Sequence, residues 1–249
     1  MKKREMNQSS KRQEYLITEN VTFDITEAFR NFKASLTVSI PKNSDGKGQV
    51  IMMTSACPED GKTTVAVNLA LMFAISEAKV IIVDADIRKG RVARFFKKRS
   101  KPGLADYLSG QVKFEEVVRK TDQGENLSYI SCGTHSPRPY ELLESAEMKN
   151  LIAKLREEYD YIILDTPPVI LVSDALALAT EADGAVVVCR HQSSYVSDVG
   201  KTIEKLRFAK ANVLGVVVND YVSFEKQSAR SKRYRYYNYA YTSLPGADE

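Results

Sequence analysis

Short apolar runs alternate with helical patterns along most of the chain. The runs that predict buried strands are QVIMMTS, KVIIVDAD, NLSYISC, YIILD, GAVVVC and NVLGVVVND. Between them, stretches such as TTVAVNLALMFAISEA and YVSDVGKTIEKLRFAK place apolar residues at helical spacing. Strands that are apolar throughout are typical of a parallel sheet covered on both faces. The pattern therefore predicts an α/β fold, a doubly wound and mostly parallel sheet with helices on both faces.

The two ends of the chain depart from this alternation. Residues 1–21 are polar and basic, and we expect a flexible segment there. Residues 22–225 hold the predicted α/β domain, and residues 226–249 form a second polar segment, rich in tyrosine, that we also expect to be flexible. The domain opens with the helical pattern DITEAFRNFKASLTVSI, in which Asp24 and Glu27 have the spacing of a capping box.

The amino-acid composition indicates a globular protein without disulfides or a membrane span. The chain is 43% hydrophobic and 27% charged, with a net charge of +4, which suits a globular domain with a sizeable core. Its three cysteines, Cys57, Cys132 and Cys189, show no paired spacing, so we expect reduced thiols and a cytoplasmic protein. The apolar runs are far shorter than the ~20 residues that span a bilayer, so any membrane contact is expected to be peripheral.

The turn after the first strand has the chemistry of a phosphate-binding loop. Its sequence ACPEDGKTT has the spacing A-x-x-x-x-G-K-T, with alanine at the usual first glycine. In such a loop, backbone N–H groups and the helix N-terminus surround a phosphate, the lysine reaches the terminal phosphates, and the hydroxyl after it binds Mg²⁺. The predicted nucleotide-binding residues here are Ala56, Cys57, Glu59, Asp60, Gly61, Lys62, Thr63 and Thr64.

Three aspartates follow strands that should end at the same edge of the sheet. Asp84 and Asp86 lie in IIVDADIR, and Asp165 lies in YIILDTPP. Ligands of open parallel sheets bind at the carboxyl ends of strands, so these groups can converge with Lys62 on a nucleotide and its Mg²⁺. Asn219 ends the last predicted strand and either reads the adenine or serves as a turn residue.

These motifs together resemble the bacterial protein-tyrosine kinases that regulate capsule and exopolysaccharide synthesis, whose catalytic domains have a phosphate-loop ATPase fold. The resemblance covers roughly residues 22–241 and includes SPRPYELL, where Arg138 replaces the more frequent Asn. It also includes EAFRNFK, which looks like the family's E-x-x-R-x-x-R subunit-contact motif. That motif would assign Glu27, Arg30 and Lys33 to oligomer contact, with lysine in place of the last arginine.

The resemblance also implies roles for the site residues. It implies that Lys62 and Thr63 hold the phosphates of ATP and Mg²⁺, and that Asp86 and Asp165 hold the metal. It makes Asp84 the candidate base for the hydroxyl proton of a tyrosine. As partners it implies a membrane-embedded adaptor of the polysaccharide chain-length type, further copies in a ring, a phosphotyrosine phosphatase and protein substrates. Together with the lack of a span, it places the protein at the inner face of the membrane.

The tyrosine-rich stretch YRYYNYAY is the expected substrate of this kinase. Phosphorylation in trans would fall on Tyr234, Tyr236, Tyr237, Tyr239 and Tyr241. Tyrosines interleaved with arginines also stack on bases, so an RNA-binding tail is the alternative for this segment. Nothing else in the sequence resembles nucleic-acid recognition, and we therefore expect no nucleic-acid partner.

Two other functions fit a phosphate loop on this fold. A partitioning or division-site ATPase carries an extra lysine five residues before the loop lysine, where this chain has Cys57, and it lacks a tyrosine tail. A nucleotide-dependent interaction protein with little catalysis also remains open, because a fold does not by itself fix a function.

Overall fold

The computed structural model describes residues 16–17, 21, 23–41 and 46–221. The basic start of the chain and the tyrosine cluster lie outside these residues. The chain divides into two units, Met1–Asn219 and Asp220–Glu249, and the fold below is that of the first unit. The domain boundaries expected from the sequence stay a prediction.

Within the described residues, seven strands form one sheet, in the order β3-β4-β2-β5-β1-β6-β7. Their bounds are β1 Gln49–Ser55, β2 Val80–Asp84, β3 Val118–Thr121, β4 Gly124–Ile130, β5 Tyr161–Asp165, β6 Gly184–Arg190 and β7 Val213–Asn219. All neighbouring pairs are parallel except β3 with β4. The mostly parallel α/β sheet predicted from the apolar runs is confirmed.

Helices cover both faces of this sheet. Their bounds are α1 Phe23–Ser39, α2 Lys62–Ile75, α3 Val92–Phe95, α4 Leu104–Leu108, α5 Phe114–Val117, α6 Pro139–Glu144, α7 Ala146–Glu158 and α8 Val196–Phe208, with a 3₁₀ helix at Asp174–Leu178. In the part of the chain that the structure describes, we find no helix with the length and apolar character needed to cross a bilayer.

Side chains alternate between two apolar layers, because neighbouring residues of a strand point to opposite faces. Ile82 and Ile163 pack on one face with residues of α1, α2 and α3. Ile81 and Ile162 pack on the other face with residues of α4, α6 and α7. Residues of α8 extend that second layer over β6. The central strands β1, β2 and β5 are therefore buried on both sides.

The sequence-based helix prediction was wrong in two places. KFEEVVRK reads as helical, but only Phe114–Val117 is helix; Val118–Thr121 pairs with β4 as an antiparallel edge strand. Backbone pairing with a neighbouring strand outweighs the helical pattern of so short a segment. SDALALATEAD also reads as helical, and it forms only the 3₁₀ helix.

Arg156 of α7 ties together the start of the sheet. Its NH1 group donates to the Gly48 carbonyl at 2.8 Å and to Asp183 Oδ2 at 2.7 Å, and its NH2 group donates to Asp183 Oδ1 at 3.0 Å. Asp183 Oδ2 also accepts a hydrogen bond from the backbone N–H of Val50. This pair joins the N-terminal ends of β1 and β6, opposite to the strand ends that carry the aspartate motifs.

We predict that Arg156→Met lowers the free energy of unfolding by about 2 kcal/mol, because it leaves a mostly buried carboxylate without its cation. Lys47→Met is the matched control, since Lys47 pairs with Glu157 at 2.8 Å on the exposed surface nearby. An exposed pair contributes about 1 kcal/mol at most. Urea denaturation measures the free energy of unfolding of both variants. An equal decrease for Arg156→Met and Lys47→Met would contradict the prediction.

Candidate active site

The loop between β1 and α2 adopts a backbone that favours glycine at one position. Gly61 has φ of 86°, in the left-handed region. A Cβ atom at Gly61 would lie 1.9 Å from Nδ2 of Asn219, so a side chain does not fit there. Glu59 also has a positive φ, of 68°. The loop thus turns sharply just before the first helical residue, Lys62.

Asp60 fastens this loop to its neighbours. The carboxylate accepts hydrogen bonds from the N–H of Cys57 at 3.0 Å and from Oγ of Ser194 at 2.7 Å. The Asp60 carbonyl accepts a hydrogen bond from Nδ2 of Asn219 at 3.0 Å. Ser194 follows β6 and Asn219 ends β7, so two strand ends hold the loop in place. Sequence reasoning missed Ser194, because only the strand order brings it to the loop.

Lys62 and Thr63 both meet Asp165. Lys62 Nζ lies 2.5 Å from Asp165 Oδ1, and Oγ1 of Thr63 donates to Asp165 Oδ2 at 2.7 Å. The contact forms because β1 and β5 are adjacent and parallel, so the loop after β1 passes over the end of β5. Burial raises the pKa of Asp165, although Lys62 and Thr63 act in the opposite direction.

Asp84 lies beside Asp165 but has a different environment. The two aspartates are register partners at the ends of β2 and β5, and both are fully buried. Asp84 Oδ2 accepts a hydrogen bond from the N–H of Val92 at 2.9 Å, whereas Oδ1 has no partner among the described residues. Burial and then the charge of Asp165 hold the pKa of Asp84 well above its ordinary value.

Close packing encloses Asp84. A Cβ atom at Gly90 would lie 2.4 Å from Cβ of Cys132 and 2.5 Å from Oδ2 of Asp84, so the loop after β2 passes directly over the carboxylate. Cys132 is also affected: burial and the charge of Asp84 raise the pKa of its thiol to about 12. The thiol therefore stays protonated and is not a nucleophile at neutral pH.

Asp86 completes the acidic group at this edge. Its Oδ1 accepts a hydrogen bond from the N–H of Lys89 at 3.0 Å, and its charge raises the pKa of both Asp84 and Asp165. Lys62, Thr63, Asp84, Asp86 and Asp165 thus converge as the sequence predicted, although their roles stay predictions. Backbone N–H groups at the N-terminus of a helix such as α2 favour the binding of phosphate.

The donors present suit Mg²⁺. No cluster of three His, Cys, Asp or Glu side chains with metal-ligand geometry occurs among the described residues. Mg²⁺ needs no such cluster, because it binds through one or two carboxylates together with phosphate oxygens and water. The carboxylates of Asp86 and Asp165 and the hydroxyl of Thr63 are oxygen donors of that kind.

The residues predicted for oligomer contact lie on α1. Glu27 and Arg30 form an exposed ion pair with each other. Lys33 instead contacts Oγ of Ser76 and donates to the Met72 carbonyl at 3.4 Å, at the end of α2. Its Nζ lies 5.6 Å from the centroid of the Phe73 ring, and burial lowers the pKa of Lys33. Lys33 is therefore engaged within its own chain.

The phosphorylation sites predicted from the sequence cannot be placed in this geometry, because they lie outside the described residues. They are Tyr234, Tyr236, Tyr237, Tyr239 and Tyr241.

The contacts of Asn219 give a prediction about its role. We expect Asn219→Ala to weaken the binding of ADP and of inorganic pyrophosphate by a similar factor, about tenfold, because the lost hydrogen bond to Asp60 loosens the phosphate loop. Isothermal titration calorimetry on both ligands measures the effect. If Asn219 reads the adenine, only ADP binding weakens, and that result would refute the loop-supporting role.

The environment of Asp84 gives a prediction about stability. Its folded-state pKa lies above the unfolded value of about 3.9, so the native state binds more protons and the free energy of unfolding falls as pH rises through that window. Asp84→Asn should therefore stabilise the protein at pH 7.5, by about 0.5–2 kcal/mol, with the gain vanishing below about pH 4. Urea denaturation at both pH values measures it. The exposed Asp122→Asn is the control without such a gain, and a pH-independent effect of Asp84→Asn contradicts the prediction.

Comparison with known proteins agrees with this site. A family model described as an AAA domain matches residues 48–214. The chain is 35% identical over 242 residues to the putative tyrosine-protein kinase EpsB of Ralstonia nicotianae, which covers 96% of this chain and 32% of that protein. It is 33% identical over 212 residues to the tyrosine-protein kinase YwqD of Bacillus subtilis, covering 85% of this chain and 86% of that one.

Structural comparison agrees with these relatives. The kinase domain of the Escherichia coli tyrosine kinase ETK superposes with a TM-score of 0.77 at 28% identity, over 86% of this chain and 84% of that domain. The chain spans about a third of the length of the EpsB relative and most of the length of YwqD. Together with the phosphate loop and the three aspartates at this edge of the sheet, these matches confirm the resemblance: this chain belongs to the family of bacterial tyrosine-protein kinases.

Proposed function

We propose that this protein is an ATP-dependent protein-tyrosine kinase that phosphorylates its own C-terminal tyrosine cluster in trans, and that it regulates the synthesis and export of capsular or extracellular polysaccharide. One observation carries the proposal. A fully buried aspartate, Asp84, has a buried oxygen without a hydrogen-bond partner among the described residues, beside Asp165 of the Lys62–Asp165 pair and at the edge of the sheet where the phosphate loop begins. The similarity to tyrosine-protein kinases supports the choice of tyrosine as acceptor.

The loop and Lys62 bind and orient the nucleotide. Lys62 is 7% exposed, so its ammonium acts in a poorly hydrated place where charge interactions are strong. Thr63, Asp86 and Asp165 would hold Mg²⁺, which neutralises charge on the phosphates when it is bound. Because phosphoryl transfer passes through a loose transition state, positioning of the phosphates contributes more than proton removal.

Asp84 is the proposed proton acceptor. A free tyrosine has a pKa near 10 and an ordinary aspartate one near 4, so a raised pKa makes the carboxylate a better match for the hydroxyl proton. Oδ2 of Asp84 is fixed by Val92, and the buried Oδ1 has no partner among the described residues, so the acceptor hydroxyl would donate to Oδ1 once the residues that cover it shift.

Phosphorylation would change the charge of the tail. Each phosphate adds about −1.5 to −2 near pH 7, so five of them make a basic segment strongly acidic. We propose that unphosphorylated copies associate in a ring and separate once the tails are charged. A membrane-embedded adaptor of the polysaccharide chain-length type would activate the kinase at the inner face of the cell membrane, and a phosphotyrosine phosphatase would reset it.

The second candidate is a partitioning or division-site ATPase switch. Such a protein needs a second loop lysine, and Cys57 occupies that position here. Cys57 is half-buried and its backbone N–H donates to Asp60, and a thiol at this position supplies no second ammonium for a phosphate. We therefore favour the kinase.

We predict that the purified wild-type protein, incubated with ATP and Mg²⁺, gains phosphotyrosine at Tyr234–Tyr241 and that Lys62→Met gains essentially none, because the loop loses the ammonium that orients the phosphates. Phosphosite mapping by mass spectrometry measures it. Lys79→Met, an exposed lysine at the other end of β2, is the control and should label normally. ADP release without phosphotyrosine in the wild type would favour the ATPase switch.

The same assay tests transfer in trans. Lys62→Met is mixed with a variant in which the five tail tyrosines are replaced by phenylalanine. Label on the Lys62→Met copy requires transfer between subunits, whereas an unlabelled mixture beside a labelled wild type indicates transfer within one chain.

A further inference from the structure

An ion pair joins the segments that follow two of the aspartate motifs. Arg88, two residues after Asp86, places Nε 2.5 Å from Oδ2 and NH2 3.2 Å from Oδ1 of Asp174. Asp174 begins the 3₁₀ helix, nine residues after Asp165 in the chain. A guanidinium that contacts both oxygens of one carboxylate fixes orientation as well as distance.

The Asp174 side of this pair is rigid. Its side chain is only 2% exposed, whereas that of Arg88 is 41% exposed. The residues that follow Asp174 anchor the 3₁₀ helix: Ala175 and Leu178 are fully buried. We find no other hydrogen-bond donor to the Asp174 carboxylate among the described residues, so the buried charge depends on Arg88.

The Arg88 side belongs to the loop that carries Asp86. This loop is held at its start by the hydrogen bond from the N–H of Ala85 to the Asp165 carbonyl, at 2.9 Å, and by Ile87, which is buried in the core. Asp86 lies between Ala85 and Ile87, and the ion pair of Arg88 with Asp174 holds the loop at the following residue. The Asp86 carboxylate is half-exposed and bonded only locally, to Lys89.

We propose that Arg88 and Asp174 form a positioning pair that holds the Asp86 loop against the end of β5, and thereby sets the metal-binding side of the nucleotide site. The inference rests on the proposed function, because Asp86 matters as a metal-holding residue only if the site binds Mg²⁺ with the nucleotide. Neither Arg88 nor Asp174 touches the nucleotide in this scheme. They act through Asp86, as partners of metal-binding residues commonly do.

A direct role for Arg88 is the rival. The guanidinium also lies in the field of Asp86 and Glu141, so it faces the acidic edge of the site. If Arg88 contacts phosphate, its removal weakens nucleotide binding with or without metal, and Asp174 matters little. If the two residues act as a pair, removal of either one has the same effect and the double variant adds nothing further.

The test compares ADP affinity in excess Mg²⁺ with ADP affinity in EDTA for the wild type, Arg88→Gln, Asp174→Asn and the double variant. We expect the enhancement by Mg²⁺ to fall by about tenfold in all three variants, with affinity in EDTA unchanged within about twofold. Hydrogen exchange on the apo protein should show faster exchange at the N–H groups of Lys89 and Val92. Arg88→Lys keeps the charge without the two-point contact and should give an intermediate loss.

Asp183→Asn is the matched control. Asp183 pairs with Arg156 through two hydrogen bonds at the opposite ends of the strands, so this variant should lose stability and keep the Mg²⁺ enhancement. If the wild-type protein binds ADP equally well in Mg²⁺ and in EDTA, the proposed metal site is wrong. If the wild type shows the enhancement and Asp174→Asn retains it in full, the proposed function stands and the positioning pair is refuted.

Discussion

Two buried carboxylates in register on adjacent strands are the constraint on which the rest of this site depends. Asp84 and Asp165 are both fully buried, and Lys62 is a buried cation that pairs with Asp165. Like charges so close together in a poorly hydrated place are costly, and the raised pKa values express that cost. The site exists because a sheet buried on both faces fixes the strand ends and does not let the carboxylates move apart.

The strand order explains two contacts of the phosphate loop. Residues after β6 and at the end of β7 hold the loop on one side, and the Lys62 ammonium pairs with Asp165 of β5 on the other side. β1 lies between β5 and β6, and β7 follows β6. The loop after β1 therefore meets Asp165 on one flank and the Ser194 and Asn219 side chains on the other. The glycine with φ of 86° is required because Asn219 occupies the space that a side chain would fill. A short motif thus takes its shape from residues more than 130 positions away.

This arrangement shows what the sequence could predict. The buried strands, the phosphate loop and the three strand-end aspartates are encoded locally, by apolar runs and by spacing, and their convergence follows from a parallel sheet. The partners of Asp60 and of Arg88 depend on which strands are neighbours, and a single sequence does not give that order. The edge strand Val118–Thr121 was missed for the same reason, since its pairing with β4 outweighs its own pattern. The contact of Lys33 with Ser76 depends in the same way on the packing of α1 on α2, and the oligomer contact of Lys33 stays a prediction.

Environment separates the three aspartates, which are chemically identical side chains, into three different groups. Asp165 is paired with the Lys62 ammonium and accepts a hydrogen bond from Thr63, and it is therefore suited to carry negative charge near the phosphates. Asp84 has no cation in contact and one free oxygen, so it is the carboxylate whose proton affinity is raised furthest and the one suited to accept a proton. Asp86 is on a loop outside the strand, and its orientation depends on the anchors around it. Because pairs of titratable groups whose environments differ in this way take different roles in acid–base chemistry, the proposed assignment of base and metal-holding residues rests on packing and not on residue type.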